Sequence, residues 1–110
     1  MTGATAAGPA NVGRVSAYVV VDVTTTDQDK ATAYRALSKP SIERHGGHFV
    51  ARGGQSVVLE GAWDPERLVV IWFESIAAAQ EWYDSEDYAE ARATRAGAGT
   101  YNMVVVEGVA

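Results

Sequence analysis

Residues 48–73 read HFVARGGQSVVLEGAWDPERLVVIWF, and the number of strands in this stretch decides the fold. Two segments, 48–52 and 55–60, have the β-branched, alternating character of strand, and Gly53-Gly54 separates them. A two-residue hairpin is one reading of the glycine pair. The preferred reading is one long edge strand bent by a glycine bulge, because Trp63-Asp64-Pro65-Glu66 supplies a clear reversal further on. Beyond that reversal RLVVIWF, residues 67–73, is apolar on both faces, as a strand at the centre of a sheet is.

Working outward, residues 16–23 (SAYVVVDV) form a strand whose odd positions, Ala17, Val19, Val21 and Val23, are all apolar. Its other face carries Ser16, Tyr18, Val20 and Asp22. A helix is expected over 27–44, capped by Thr26 or Asp27, with Tyr34, Leu37, Ser41 and Ile42 on one face. Pro40 lacks an amide hydrogen and is expected to kink or split it, and Gly46-Gly47 ends it. Downstream, Ser75 caps a helix with Ile76, Ala79, Trp82 and Tyr83 on one side. Ser85 caps a second, with Glu86 and Asp87 in its first turn, that stops at Gly97. The last strand is 100–107, TYNMVVVE. Strand, helix, two strands, helix pair, strand is the α+β, ferredoxin-like βαββαβ order.

The chain has 110 residues, a formal charge of −5 and no cysteine. One domain is expected over residues 14–110, with residues 1–13 (MTGATAAGPANVG) as a flexible N-terminal extension. Missing cysteine excludes disulfides, thiolate nucleophiles, cysteine zinc sites and iron–sulfur clusters. The acidic balance argues against nucleic acid as a partner. No secretory signal and no run of about 20 apolar residues is present, so a cytoplasmic protein without a membrane partner is expected.

The ordered set AYVVVDVT, YRAL, RHGGHFVARGG, VLEGAWDPERLVVI, EWYDSEDYAEAR and VVVEG resembles the bacterial domain of unknown function 1330 family, of the dimeric α–β barrel superfamily. The resemblance covers residues 16 to 109 and implies a ferredoxin-like protomer whose sheet packs on a second copy's sheet. The superfamily includes cofactor-free oxygenases of polyketide pathways, lactone isomerases, haem enzymes and plain binding proteins. Two departures stand out. Trp72-Phe73-Glu74-Ser75 replaces an acidic residue followed by Phe-Pro-Ser, and His48 stands where Arg or Lys is usual.

Among candidate site residues, Tyr18, Asp22, Arg52 and Trp72 interrupt otherwise apolar strands, as a cavity for a small organic molecule requires. The alternative for Tyr18 and Trp72 is the dimer interface, where large amphipathic rings are also enriched. Strict alternation puts His48, Val50 and Arg52 on one face, with imidazole available for proton transfer. His45 is read as a cation at a helix C-terminus, and its spacing from Glu43 and His48 does not make a metal motif. Trp82 is expected to anchor the core, with Tyr83 or Tyr88 offering a hydroxyl to a cavity. Arg92, one turn beyond Tyr88, either binds a substrate carboxylate or is a solvated surface arginine.

The expectation is therefore a homodimer, since a sheet with helices on one face must cover the other. By the superfamily resemblance it is a cofactor-independent isomerase, cyclase or oxygenase with its site in the barrel cavity. Tyr18, His48 and Arg52 would be catalytic, and Asp22, Trp72, Tyr83, Tyr88 and Arg92 would bind a small organic substrate, with no metal and no cofactor. A non-catalytic small-molecule-binding or structural dimer is the alternative.

Overall fold

The computed structural model describes residues 15–110, so the expected extension at 1–13 lies outside the described residues. The elements run β1 (Ala17–Thr25), α1 (Gln28–Arg44), β2 (His48–Arg52), β3 (Arg67–Phe73), α2 (Ile76–Asp84), α3 (Glu86–Thr94) and β4 (Gly99–Glu107). The four strands form one antiparallel sheet in the order β2-β3-β1-β4. This is the ferredoxin-like arrangement expected from the sequence, with the apolar segments β1 and β3 at the centre.

The two faces of the sheet differ because side chains alternate. On one face Val19, Val21 and Val23 of β1 with Ile71 and Phe73 of β3 pack against Ile42, Ala79, Trp82, Tyr88 and Ala91 of the helices. Among the described residues no helix packs on the opposite face. There Tyr18 pairs with Trp72 and Val106, and Val20 with Val70 and Val104. Val104 is 63% exposed and Val106 52%.

The helix ends are set by local chemistry. The Asp27 carboxylate accepts from the Lys30 amide at 3.1 Å, Ser75 caps α2 through Ala78, and Ser85 caps α3 through Tyr88. After α1 the chain reverses at Gly46, where φ is +80°. Gly47 is there for space, since a Cβ would lie 2.7 Å from the Phe73 ring. Across the helices, Trp82 Nε1 donates to Ser41 Oγ at 3.1 Å, and Ser41 Oγ donates to the Ser38 carbonyl at 2.7 Å. That relay satisfies the buried indole and ties α2 to α1.

Three sequence expectations are corrected. Residues 55–60 are not strand but part of an exposed loop between β2 and β3. Beyond the Gly53 amide, which donates to the Leu68 carbonyl at 2.8 Å, β2 is the sheet edge and Gly53 at φ +71° turns the chain away. The irregularity in the edge strand falls earlier than the glycines: register shifts between Phe49 and Ala51, so Val50 is the bulged residue. Finally, Pro40 does not split α1, which continues through it to Arg44. Buried Ala31 and Ser38 before the proline, and Ser41 and Ile42 after it, hold both halves on the core, which offsets the missing amide bond.

Candidate functional site

The bulge at Val50 separates residues that strict alternation puts together. His48 pairs with Trp72 on the open face, whereas Arg52 pairs with Val69 on the helix-covered face. The expectation that His48, Val50 and Arg52 share a face is overturned, because one extra residue inverts the alternation. Arg52 instead lies over the Phe49 ring at 4.2 Å.

On the open face, Tyr18, Trp72 and His48 form one cross-strand row over β1, β3 and β2. The His48 and Trp72 rings stack with centroids 4.8 Å apart. Asp22 lies further along the same face and accepts from Trp63 Nε1 at 3.0 Å, which fastens the loop before β3 to the sheet. These four expected site residues are thus brought to one surface. Tyr83, Tyr88 and Arg92 belong to the helix layer on the other side of the sheet.

Tyr88 is fully buried in the core and does not offer its hydroxyl to the large cleft. Its oxygen is 2.8 Å from that of Tyr34, and Arg95 Nη1 donates to it at 3.4 Å. Burial, and then the neighbouring Tyr34, push the phenol far above its ordinary value, so Tyr88 stays neutral. Trp82 packs on Tyr88 at 4.1 Å between centroids and is buried as expected. Arg92 lies over the Tyr83 ring at 4.5 Å and donates to its hydroxyl at 3.4 Å. Tyr83 is thus a partner of Arg92 within the helix layer.

A cleft of about 440 Å³ opens between β4 and α2 on the helix-covered face. Met103 and Val105 of β4 and Val19 of β1 make its apolar floor, and Gln80, Tyr83 and Arg95 stand on its walls. Arg95 is held in place by aromatic faces, with its guanidinium 4.0 Å over Tyr101 and 5.0 Å over Tyr34. Tyr101 also lines the cleft, and burial is the main influence raising its phenol above the ordinary value. An apolar floor with a few polar groups converging on it is the composition of small-molecule sites, and the volume lies within their usual ~300–1,000 Å³. Of the residues singled out from sequence, Tyr83 lines this cleft directly, and Arg92 backs it.

Arg95, Tyr101 and Gln80 were not among the sequence candidates. Period-two alternation over residues 101–105 places Tyr101, Met103 and Val105 on one face and was available to find the floor. Nothing local marks Arg95, which caps α3 and comes to Tyr101 only through the fold.

His45, at the end of α1, has its Nε2 3.2 Å from Asp87 Oδ1, and Arg44 Nε donates to Asp87 Oδ2 at 2.9 Å. Hydrogen bonding from Ser85, then Arg44 and His45, holds the Asp87 carboxyl well below the usual carboxylate range. His45 thus serves a helix junction, joining the end of α1 to the first turn of α3 through Asp87. Among the described residues no group of three or more His, Asp or Glu side chains gathers to hold a metal ion. No helix of the described residues is long and apolar enough to cross a membrane.

The sequence over residues 16–109 matches the domain of unknown function DUF1330, and the chain belongs to that family. The fold is shared with solved structures. A protein of unknown function from Rhodopseudomonas palustris is 21% identical, with a TM-score of 0.70 over 91% of this chain and 88% of that one. A dimeric ferredoxin-like protein of unknown function from Thermobifida fusca is 17% identical, with a TM-score of 0.53 over 89% of this chain and 93% of its own. SnoaB, a cofactor-independent oxygenase from Streptomyces nogalater, is 12% identical, with a TM-score of 0.52 over 88% of this chain and 94% of its own. No protein of curated function matches the chain.

Proposed function

We propose that the protein is a homodimeric, cofactor-independent enzyme acting on a small aromatic or polyketide-like molecule, with its site in the cleft between β4 and α2. The single observation that carries this reading is the cleft itself: about 440 Å³, floored by Val19, Met103 and Val105 and flanked by Tyr83, Arg95 and Tyr101. A flat apolar ligand lies on the floor, and Arg95 stabilises negative charge that develops on its oxygen. Because Arg92 donates to the Tyr83 oxygen, the Tyr83 proton is left for transfer to a ligand. Isomerisation, cyclisation and oxygenation by dioxygen all draw on such a pair. The likeness in fold to SnoaB and to a dimeric Thermobifida fusca protein is consistent with this class and with the dimer.

In this reading the open face, with Val20, Val70, Val104 and Val106, packs against a second copy. Tyr18, Trp72 and His48 then serve the interface between sheets, and Asp22 secures the loop at its margin. Arg52 lies outside the β4–α2 cleft, so the stabilisation of developing negative charge falls to Arg95 instead.

The test is turnover of a panel of hydroxylated aromatic compounds in aerated, chelator-treated buffer without added cofactor, followed by mass spectrometry. Tyr83→Phe and Arg95→Gln are expected to lower kcat by roughly 100-fold, in line with the loss of an acid or an oxyanion donor. Full turnover in both variants, or no binding and no product from any compound, overturns the proposal.

A further inference from the structure

A second, smaller cleft lies on the same side of the sheet, between α1 and the ends of β2 and β3. It holds about 40 Å³, room for one charged group rather than a whole metabolite. Three arginines line it: Arg35 from α1, Arg52 from the last position of β2 and Arg67 from the first of β3. Tyr34 and Tyr101 line it too. Two independent features of the chain bring the arginines together. The Val50 bulge turns Arg52 onto this face. Gly53 leaves room for Arg67, because a Cβ there would collide with its guanidinium.

The cluster has no internal compensation. Ion pairs among the described residues use Lys39, Arg44 and His45, and none of them gives the three arginines a carboxylate partner. Arg35 donates to the Thr32 hydroxyl and Arg52 rests on the Phe49 ring, neither of which neutralises charge. Glu66, beside Arg67 in sequence, uses its carboxylate to accept from the Thr25 amide at 2.9 Å. Burial and then the positive charges of Arg35 and Arg52 act together to depress the Arg67 pKa. Three half-buried or neighbouring cations without a counter-charge, in a chain of net charge −5, are unfavourable unless an anion joins them.

We propose that Arg35, Arg52 and Arg67 form a binding site for the doubly charged end of a small molecule, a phosphate monoester or a dicarboxylate. Planar guanidinium groups present paired donors that match the oxygens of either group, and their combined charge exceeds what a single carboxylate neutralises. The site stands apart from the reading of the larger cleft and holds whether or not that cleft is catalytic. Tyr101 lines both, so a ligand anchored here abuts the larger cleft.

The experiment is calorimetric and thermal titration of the full chain with inorganic phosphate and with malonate, each against sodium chloride at matched ionic strength. At least one dianion is expected to bind saturably and raise Tm beyond chloride: phosphate alone identifies the phosphate monoester class, malonate alone the dicarboxylate. Arg67→Gln and Arg52→Gln are each expected to weaken binding by roughly tenfold or more, while Lys39→Gln, which removes equal charge elsewhere on α1, binds as the parent does. Without anion, Arg67→Gln melts no lower than the parent, because repulsion is relieved. Stabilisation by phosphate and malonate no greater than by chloride overturns the proposal without recourse to any variant. So does equal weakening by Lys39→Gln.

Discussion

At the residue scale, the clearest dependence is the indole of Trp82 on the hydroxyl of Ser41. Both are buried, and the hydroxyl accepts from Trp82 Nε1 while donating to the Ser38 carbonyl. Ser41→Ala leaves the indole donor unpaired in the core, and chemical denaturation is expected to show a loss of about 1–3 kcal/mol. A change below about 0.5 kcal/mol, the range of an ordinary surface substitution, would contradict the relay. Sequence periodicity puts Ser41 and Trp82 on inward faces but says nothing of their meeting, because they are forty-one positions apart. The same holds for Arg95 and Tyr101. Residue types are legible one at a time, whereas a site is a set of distances.

At the scale of elements, β1, β3 and the three helices are legible because their apolar period and their caps agree. Asp27, Ser75 and Ser85 each accept the amide that a capping residue should. The edge is where sequence reading fails. Val57, Val58 and Leu59 have the composition of a strand, yet no strand of the described residues pairs with them, and they lie exposed. The bulge at Val50 leaves no compositional mark, so the face of Arg52 could not be read from alternation. A second element-scale feature is the junction of α1 with α3. Asp87 sits in the first turn of α3, facing Arg44 and His45 at the end of α1. Its folded pKa lies below its unfolded value, so its stabilisation is present above the unfolded carboxylate range and is lost as pH falls through the folded pKa. Asp87→Asn is expected to cost about 1 kcal/mol near neutrality, allowing for solvent screening of a partly exposed pair. Denaturation curves of parent and variant should converge as pH falls below about 4. A gap that stays constant down to strong acid would contradict the assignment.

At the scale of the molecule, one sheet face is packed against helices and the other presents valines, Trp72 and Tyr18 in continuous rows. Such a face buries itself against a copy of itself in the proposed dimer. Sedimentation of the parent should give twice the 11.7 kDa chain mass, and Val104→Lys, at an exposed position on that face, should shift it toward the monomer. A parent that sediments as a monomer at micromolar concentration would remove the dimer. The lack of cysteine leaves Tyr, His, Arg and carboxylates to carry any reaction, and the helix-side clefts are where tyrosines and arginines gather.

The central claim is that the functional cleft lies between β4 and α2 rather than between two sheets. Amide chemical-shift mapping during titration with salicylate, a small hydroxylated aromatic acid, tests it most directly. The largest shifts are expected at Gln80, Tyr83, Arg95 and Tyr101, which line that cleft. Shifts concentrated at Tyr18, His48 and Trp72, across the open face, would contradict it.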